Sequence, residues 1–443
     1  MSMRVWRSFL ILFFACLSQV ARADDLVSVY HQAIEGDPRI KLADLKVGVG
    51  TAAEKQATGD LLPQINGRAS FSENRQDLER DFNQGIAGGR ESFPGERYSV
   101  VLSQPLFDLP RYYRWRRQQE LTAQAEAERT DVNQQLILDV VDAYFIVLRY
   151  EDDLDLVNHE IKATEGLLAQ VEKLYEKKLA KITELLEARA TLDKLFADQV
   201  EASSQVAVAR ERLHEITGSR PGELIPLRDD VRFVEIEGTL EEWVARVKAE
   251  NSALRGLDKA VNAQTQDLRE RKSGRLPVVD FQLSHQKSDL GFENSPRPTT
   301  TTDYAGVNVN VPIFSSGVLT GRINESAHRL EMTRLEYETE YRMLIKEARD
   351  ALLRANASVR RIRASEQALQ SAKKSAEAMR RGFKLGAVTI ADLLDAQSDR
   401  YLAQRDLNRA RYDYIINRTR LLRVAGVVNE QELQAMNQWL VAE

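Results

Sequence analysis

VVDAYFIVLRYEDDLDLVNHEIKATEGLLAQVEKLY, residues 140–175, decides the fold class. Apolar or small residues recur in it as Val140, Ala143, Val147, Tyr150, Leu154, Val157, Ile161, Thr164, Leu168, Val171 and Tyr175. A 3-4 alternation held over about five heptads is the seam of a long helical coiled coil. Nothing nearby breaks it: no proline lies between Arg111 and Thr217, and Gly166 is the only glycine there. The same positions 208 residues later read Ala348, Ala351, Ala355, Ser358, Ile362, Ser365, Leu369, Ala372, Ala376, Met379 and Phe383. This second seam, rich in Ala and Ser, lets helices approach closely.

Other landmarks return at nearly the same spacing. Pro63 and Ile65 fall on Pro277 and Val279, and Gln104-Pro105-Leu106-Phe107 falls on Val311-Pro312-Ile313-Phe314. Glu184-Leu185-Leu186-Glu187-Ala188 falls on Asp392-Leu393-Leu394-Asp395-Ala396, and Gly218 on Gly426. Copies of about 200 residues are too long for a solenoid repeat, so the chain is a domain written twice. Its divisions are a signal peptide at 1–23, a first repeat at 24–217 and a linker at 218–239. A second repeat at 240–426 and a C-terminal segment at 427–443 follow. Each repeat reads helix, β-hairpin, long helix, helix, with the hairpins at about 65–104 and 278–311.

Composition narrows the function. With 22 Gly and 11 Pro in 443 residues, a loop-rich or all-β protein is excluded. One Cys and five scattered His leave no disulfide framework, no thiolate cluster and no zinc motif. A net charge of -5 gives no basic field for nucleic acid. No nucleophile–base pair, metal cluster or phosphate loop marks an enzyme. No catalytic residue, metal or cofactor is therefore expected.

The first residues carry Arg4 and Arg7, an apolar run from Phe9 to Leu17, and Ala21-Arg22-Ala23. This is the form of a cleaved secretory signal. A lipoprotein signal acylated at Cys16 is the rival, disfavoured by Phe13 and Phe14 before it. No later stretch reaches 18 uninterrupted apolar residues, so any membrane crossing must use strands.

Strand candidates are present. Ile65–Ser72, Val279–His285 and Ala305–Val311 alternate apolar with polar, and Tyr98–Gln104 does so less regularly. Such alternation fits a transmembrane barrel strand or a half-buried soluble sheet equally well. Phe71, Tyr98, Phe281 and Tyr304 are expected near strand ends, as an interfacial girdle. Polar segments from about Glu73 to Arg97 and Gln286 to Asp303 join the strands. Four strands cannot close a barrel, so spanning would force oligomerisation.

Charge differs between the long helices. Ile146–Glu176 has eight acidic residues against three basic, whereas Arg354–Lys384 has nine basic against two acidic. A solvated face explains this; the expectation preferred here is that the two faces pair, each exposed pair contributing little.

These features together resemble the TolC family of outer-membrane channel proteins over essentially the whole chain after residue 23. The most specific landmarks are Leu61-Leu62-Pro63-Gln64-Ile65, Pro105-Leu106-Phe107, Pro312-Ile313-Phe314 with Ser316-Gly317, and Gly386 through Ala396. The start, Asp25-Leu26 to Asp37-Pro38, looks most like the type I secretion branch. The resemblance implies a fold that is mainly α with a small β part. Three chains would share a 12-stranded β-barrel in the outer membrane, continued by an α-helical barrel in the periplasm of a Gram-negative cell. Residues 218–239 and 427–443 would then be equatorial segments. It implies a passive exit duct of a tripartite export system, for type I protein secretion or multidrug efflux. Its partners would be outer-membrane lipid, a periplasmic adaptor and an inner-membrane transporter of ABC or RND type.

Site residues follow from the same resemblance. Lys177, Lys178, Leu179, Leu385, Gly386 and Ala387 would be adaptor-docking tips. Asp392 and Asp395 match paired aspartates that ring the periplasmic entrance, facing Thr183 and Glu184. Spacing of three puts both carboxylates on one helix face, and three copies would attract cations. Phe383 and Val388 stand where a gate tyrosine and arginine are usual, and Lys178 where a glycine is. Pro63, Pro105, Pro277 and Pro312 would bound the strands. A soluble periplasmic coiled-coil scaffold or adaptor is the alternative.

Overall fold

A computed structural model describes residues 24–78, 89–289 and 299–440. The signal peptide expected at 1–23 and the centres of both inter-strand segments lie outside the described residues. Helices α1 (Leu26–Gly36) and α2 (Pro38–Gly59) lead into strands β1 (Gln64–Leu78) and β2 (Gly89–Phe107). Then come α3 (Leu109–Glu176) and α4 (Ile182–Thr217). The second copy repeats this order as α5 (Leu240–Glu250), α6 (Ser252–Ser273), β3 (Val278–Asp289), β4 (Thr300–Asn310), α7 (Val318–Lys384) and α8 (Ile390–Val424). A short α9 (Glu430–Asn437) follows. The fold is mainly α with a small β part.

The single helix expected before β1 is two helices. Pro38 opens α2 and disfavours the α region for Asp37, which sits at φ -77°, ψ 116°. The second copy breaks at the matching Asn251 (φ -63°, ψ 124°) without proline. There the Asn251 side chain accepts from the Leu254 N–H at 2.9 Å and donates to the Val424 carbonyl at 2.8 Å. Asp37 instead accepts from the Arg39 N–H at 2.8 Å, and Arg39 bridges on to Asp139 at 2.8 Å.

One compact unit takes Glu128–Leu254, Glu340 onward, and the start of the chain through Ala43. Its core joins α1 (Leu26, Val29), α3 (Val140, Tyr144, Phe145), α4 (Leu213) and α8 (Ile415, Leu421), closed by Leu433 and Met436 of α9. The Tyr144 ring is fully buried, its hydroxyl 2.9 Å from the Ile225 carbonyl. The linker after α4 is held by backbone bonds, Asp24 N–H to the Glu223 carbonyl at 2.7 Å and Arg228 N–H to the Trp439 carbonyl at 2.9 Å.

Acidic residues of α3 do not meet the basic face of α7 in the way expected. They pair with arginines of α4 and α8: Glu151 with Arg210, Asp142 with Arg212, Glu172 with Arg189, and Asp153 with Arg409. Helix α8 comes between, and Asp413 on it takes Arg149 of α3 and Arg361 of α7. A net charge summed along a helix does not say which neighbour faces it.

The other unit holds Asp44–Ala127 and Arg255–Thr339. Its strands form one antiparallel sheet in the order β1-β2-β3-β4, so β2 against β3 splices the two copies. Cross-strand partners share a face, which collects Ile65, Phe71, Val100, Leu102, Phe281, Leu283, Val307 and Val309 on one side. Most of these are exposed, Ile65 by 70% and Val309 by 62%. The strands run further than the alternation indicated, into segments read as connections. Phe71 and Tyr98 consequently lie mid-strand, stacked edge to face at 5.7 Å, and not at strand ends. Tyr304 points to the polar face, over Gly306, with its hydroxyl 3.3 Å from Asn308.

At the sheet's base an ionic cluster ties α3, α6 and α7. Arg114 and Arg117 of α3 pair with Glu270 and Asp267 of α6, whose side chains are 6% and 10% exposed. The Ser326 hydroxyl of α7 donates to Asp267 at 2.8 Å.

Candidate functional site

Two turns, one per copy, are built to one plan. Helix α3 ends with the Leu179 N–H donating to the Leu174 carbonyl at 2.8 Å, and α7 with the Ala387 N–H donating to the Gly382 carbonyl at 2.8 Å. This six-to-one bond is the Schellman ending, which requires a left-handed residue just before its donor. Gly386 supplies it at φ 74°, and Lys178 supplies it at φ 59° despite its Cβ.

The helices leaving the turns share one half of a cap, an acidic side chain reaching back to the N-cap N–H. Thr389 and Asp392 form a reciprocal box: the Asp392 N–H donates to the Thr389 Oγ1 at 3.2 Å, and the Thr389 N–H donates to the Asp392 Oδ2 at 3.0 Å. The Thr389 hydroxyl adds a bond to the same oxygen at 2.6 Å. Those bonds hold the Asp392 carboxyl below the usual carboxylate range. At the matching place in the first copy, the Lys181 N–H donates to Glu184 Oε2 at 2.9 Å. The box was legible as Thr389-Ile390-Ala391-Asp392 ahead of an apolar pair, and the sequence reading missed it by treating Asp392 only as half of an acidic pair.

A small apolar core fastens the two turns together. Leu167, Val171, Leu185, Ile390, Leu393 and Leu394 are buried in it, with Leu168, Ala180, Met379 and Phe383 packed around them. Phe383 is therefore a packing residue here. Val388 fits over Gly382, where an added Cβ would lie 3.2 Å from both valine methyls. Among the described residues no hydrogen bond joins Thr183 or Glu184 to Phe383 or Val388, the apolar pair having none to give. Asp392 and Asp395 are exposed on one face of α8, and Thr183 is exposed while Glu184 is half-covered. Lys177, Lys178, Leu179, Leu385, Gly386 and Ala387 are exposed at the turns.

The prolines divide differently. Pro63 and Pro277 directly precede β1 and β3, and Pro312 lies two residues beyond β4. Pro105 sits inside β2, where the register against β3 shifts between Pro105 and Phe107. A missing N–H is tolerated at such a bulge.

A further site lay outside the sequence reading. Glu160 of α3 faces Lys194, Asp198 and Glu201 of α4 and Arg405 of α8 in a cleft of about 430 Å³. Burial, then the Asp198 charge, push its carboxyl up to about 7. No periodicity marks this, because it depends on three helices meeting.

Among the described residues no helix is long and apolar enough to cross a membrane. The sheet's apolar, uncovered face is the surface that suits lipid. The sequence pattern of outer membrane efflux proteins matches residues 29–219 and 243–427, one match per copy. The chain belongs to the outer membrane efflux protein family. The outer membrane protein TolC of Vibrio cholerae is 30% identical over 427 residues, covering 95% of each chain. The alkaline protease secretion protein AprF of Pseudomonas aeruginosa is 26% identical, covering 95% of this chain and 88% of its own. The crystal structure of the Campylobacter jejuni CmeC outer membrane channel superposes with a TM-score of 0.79 at 15% identity, covering 94% of this chain and 90% of that one. This efflux family member is an outer-membrane exit duct, with its helical part in the periplasm. The soluble scaffold considered above falls away.

Proposed function

We propose that three copies of this chain assemble into a passive channel that serves a tripartite export system, chiefly for type I protein secretion. The observation that carries it is the four-stranded sheet with one apolar, exposed face and, among the described residues, no partner for the outer edges of β1 and β4. In lipid such edges must be paired, and three chains supply twelve strands. Secretion is preferred to drug efflux because two relatives named for protease secretion, AprF at 26% identity and PrtF of Dickeya chrysanthemi at 22%, match over 95% of this chain. The cation efflux protein CusC of Escherichia coli, at 22%, matches over 87%. An inner-membrane ABC transporter and its periplasmic adaptor are the partners that suit protein cargo; an RND pump would suit drugs.

The paired turns are the channel's periplasmic entrance in this reading. Asp392 and Asp395 from each chain make it an anion-repelling ring, with Thr183 and Glu184 lining the adjoining hairpin. Phe383 and Val388 leave the gate held by packing and not by hydrogen bonds across it. Planar-bilayer recording tests this: Asp392→Ala with Asp395→Ala should lower cation selectivity and block by multivalent cations. Unchanged selectivity would remove these carboxylates from the constriction.

A further inference from the structure

The polar face of the sheet gathers one sign of charge. Register places Arg68 of β1 and Arg97 of β2 on it, Arg68 opposite Ser99 and Arg97 opposite Ser70, so the two side chains stand diagonal to one another. Continued across the sheet, the same levels meet Gln286 and Ser288 of β3, then Thr302 and Thr300 of β4. Every cross-strand neighbour is thus a neutral polar residue. Both arginines are exposed, and among the described residues neither forms an ion pair. The Ser288 hydroxyl, opposite Arg97, is enclosed and makes no hydrogen bond among the described residues, which leaves an O–H donor unspent there.

Acidic residues of that face are remote. Glu91 lies six positions from Arg97 along β2, about 20 Å, and Asp280 falls opposite Pro105, about 27 Å from Arg97 in the other direction. Both separations exceed the Debye length of about 8 Å at physiological salt. The other face of the sheet mixes signs instead: Arg90 pairs with Asp77 at 2.6 Å, and His285 meets Asp303 at 2.7 Å. Two like charges set side by side repel, and nothing among the described residues offsets that on the polar face. The arrangement suits a ligand that brings the opposite charge.

We propose that Arg68 and Arg97, two guanidiniums from each of three chains, form an oxyanion-binding ring in the strand-lined part of the channel, where they take carboxylate or phosphate groups of whatever passes through. This rests on the export-channel reading above, because it needs the apolar face turned to lipid and the polar face turned to the lumen. Rings of arginine favour anions as rings of aspartate favour cations. A guanidinium offers paired N–H donors that match the edge of a carboxylate or phosphate. The serine and threonine hydroxyls at the same levels add further donors. The duct would then carry opposite signs at its periplasmic entrance and in its membrane part. An acidic stretch of cargo, once past Asp392 and Asp395, would be drawn on towards the ring.

The test uses the full chain purified in detergent and added to one side of a planar bilayer. No described helix can cross lipid, so the helical part stays on the side of addition and the strands open to the opposite compartment. Sodium tripolyphosphate is then supplied to each compartment in turn. From the opposite compartment it should block wild-type current, and the block should weaken as KCl is raised. Arg68→Gln with Arg97→Gln should weaken that block about tenfold. Arg68→Lys with Arg97→Lys should keep most of it, which separates charge from side-chain packing. Block by multivalent cations from the side of addition, assigned above to Asp392 and Asp395, should be the same in all three proteins. Arg97→Glu should exchange block by tripolyphosphate for block by spermine from the opposite compartment. If the glutamine variant does not insert, the lysine and glutamate variants read the same change of sign. Tripolyphosphate block that is absent in wild type, or equal in wild type and the glutamine variant, would overturn the ring and leave the channel reading intact. Absence of any conducting state in wild type would overturn both.

Discussion

Lys178 and Gly386 are the same position in two copies of one turn, and the difference between them is one Cβ in left-handed backbone. Removing it should help the fold: Lys178→Gly is expected to stabilise the chain by roughly 0.5–1 kcal/mol, the left-handed penalty less the added freedom of the unfolded glycine. Thermal unfolding in detergent reads this directly. Glu160 offers a second residue-scale outcome. Its carboxyl is raised to about 7 from 4.5 by burial and by Asp198. Between those values the folded chain holds more protons than the unfolded chain, so stability falls as pH rises through the window. Asp152, raised to about 6 chiefly by burial, acts in the same direction. Glu160→Gln should therefore melt higher than wild type at pH 8, by about 1–2 kcal/mol after discounting for partial exposure. The gap should close towards pH 4.5. A constant gap would mean that the amide acts through packing.

Elements were legible where a local rule sufficed. The 3-4 seam from Val140 to Tyr175 located α3, and a strand period of two located all four strands. Strand length was not legible, because Glu73–Leu78 and Gly89–Arg97 carry polar residues on both faces and show no contrast between them. The Pro105 bulge was hidden for a related reason, since proline reads as a boundary unless the partner strand's register is known. Helix pairing was the least accessible. Asp153 finds Arg409, 256 positions away, and no charge pattern along α3 announces that. The α3–α6–α7 cluster belongs to the same class and makes a strong element-scale prediction. Asp267→Ala would leave Arg117 with Glu270 alone at 3.4 Å, free the partly exposed Arg271 and strip the Ser326 hydroxyl of its acceptor. The cost should be about 1–3 kcal/mol, the range for removing one partner of a hydrogen bond to a charged group. Chemical denaturation of the detergent-solubilised protein checks it, with Glu325→Ala, an exposed i,i+4 partner of Arg329, as the near-neutral control.

For the whole molecule, duplication is the fact that sequence and structure give most directly: α1 through α4 recur as α5 through α8 around matching hairpins. The copies differ at the matched left-handed position of their turns, Lys178 in one and Gly386 in the other. At the candidate entrance the Thr389–Asp392 cap is legible in the sequence, being local, whereas the apolar core is not, because it needs both hairpins in space. Chemical crosslinking in detergent should yield a three-chain species, and a strictly single-chain result would contradict the twelve-strand proposal. The sheet's splice has a consequence for how the protein is made. Each hairpin pairs residues close in sequence, but β2 pairs with β3 across about 180 residues, Leu102 opposite Leu283. A chain emerging from its N-terminus can form the first hairpin early, yet that hairpin's inner edge waits until most of the chain has been delivered. During that interval an unpaired, half-apolar strand is open to any other nascent chain. Biogenesis of this protein is therefore a race between completing export of the polypeptide and capture of β2 by the wrong partner.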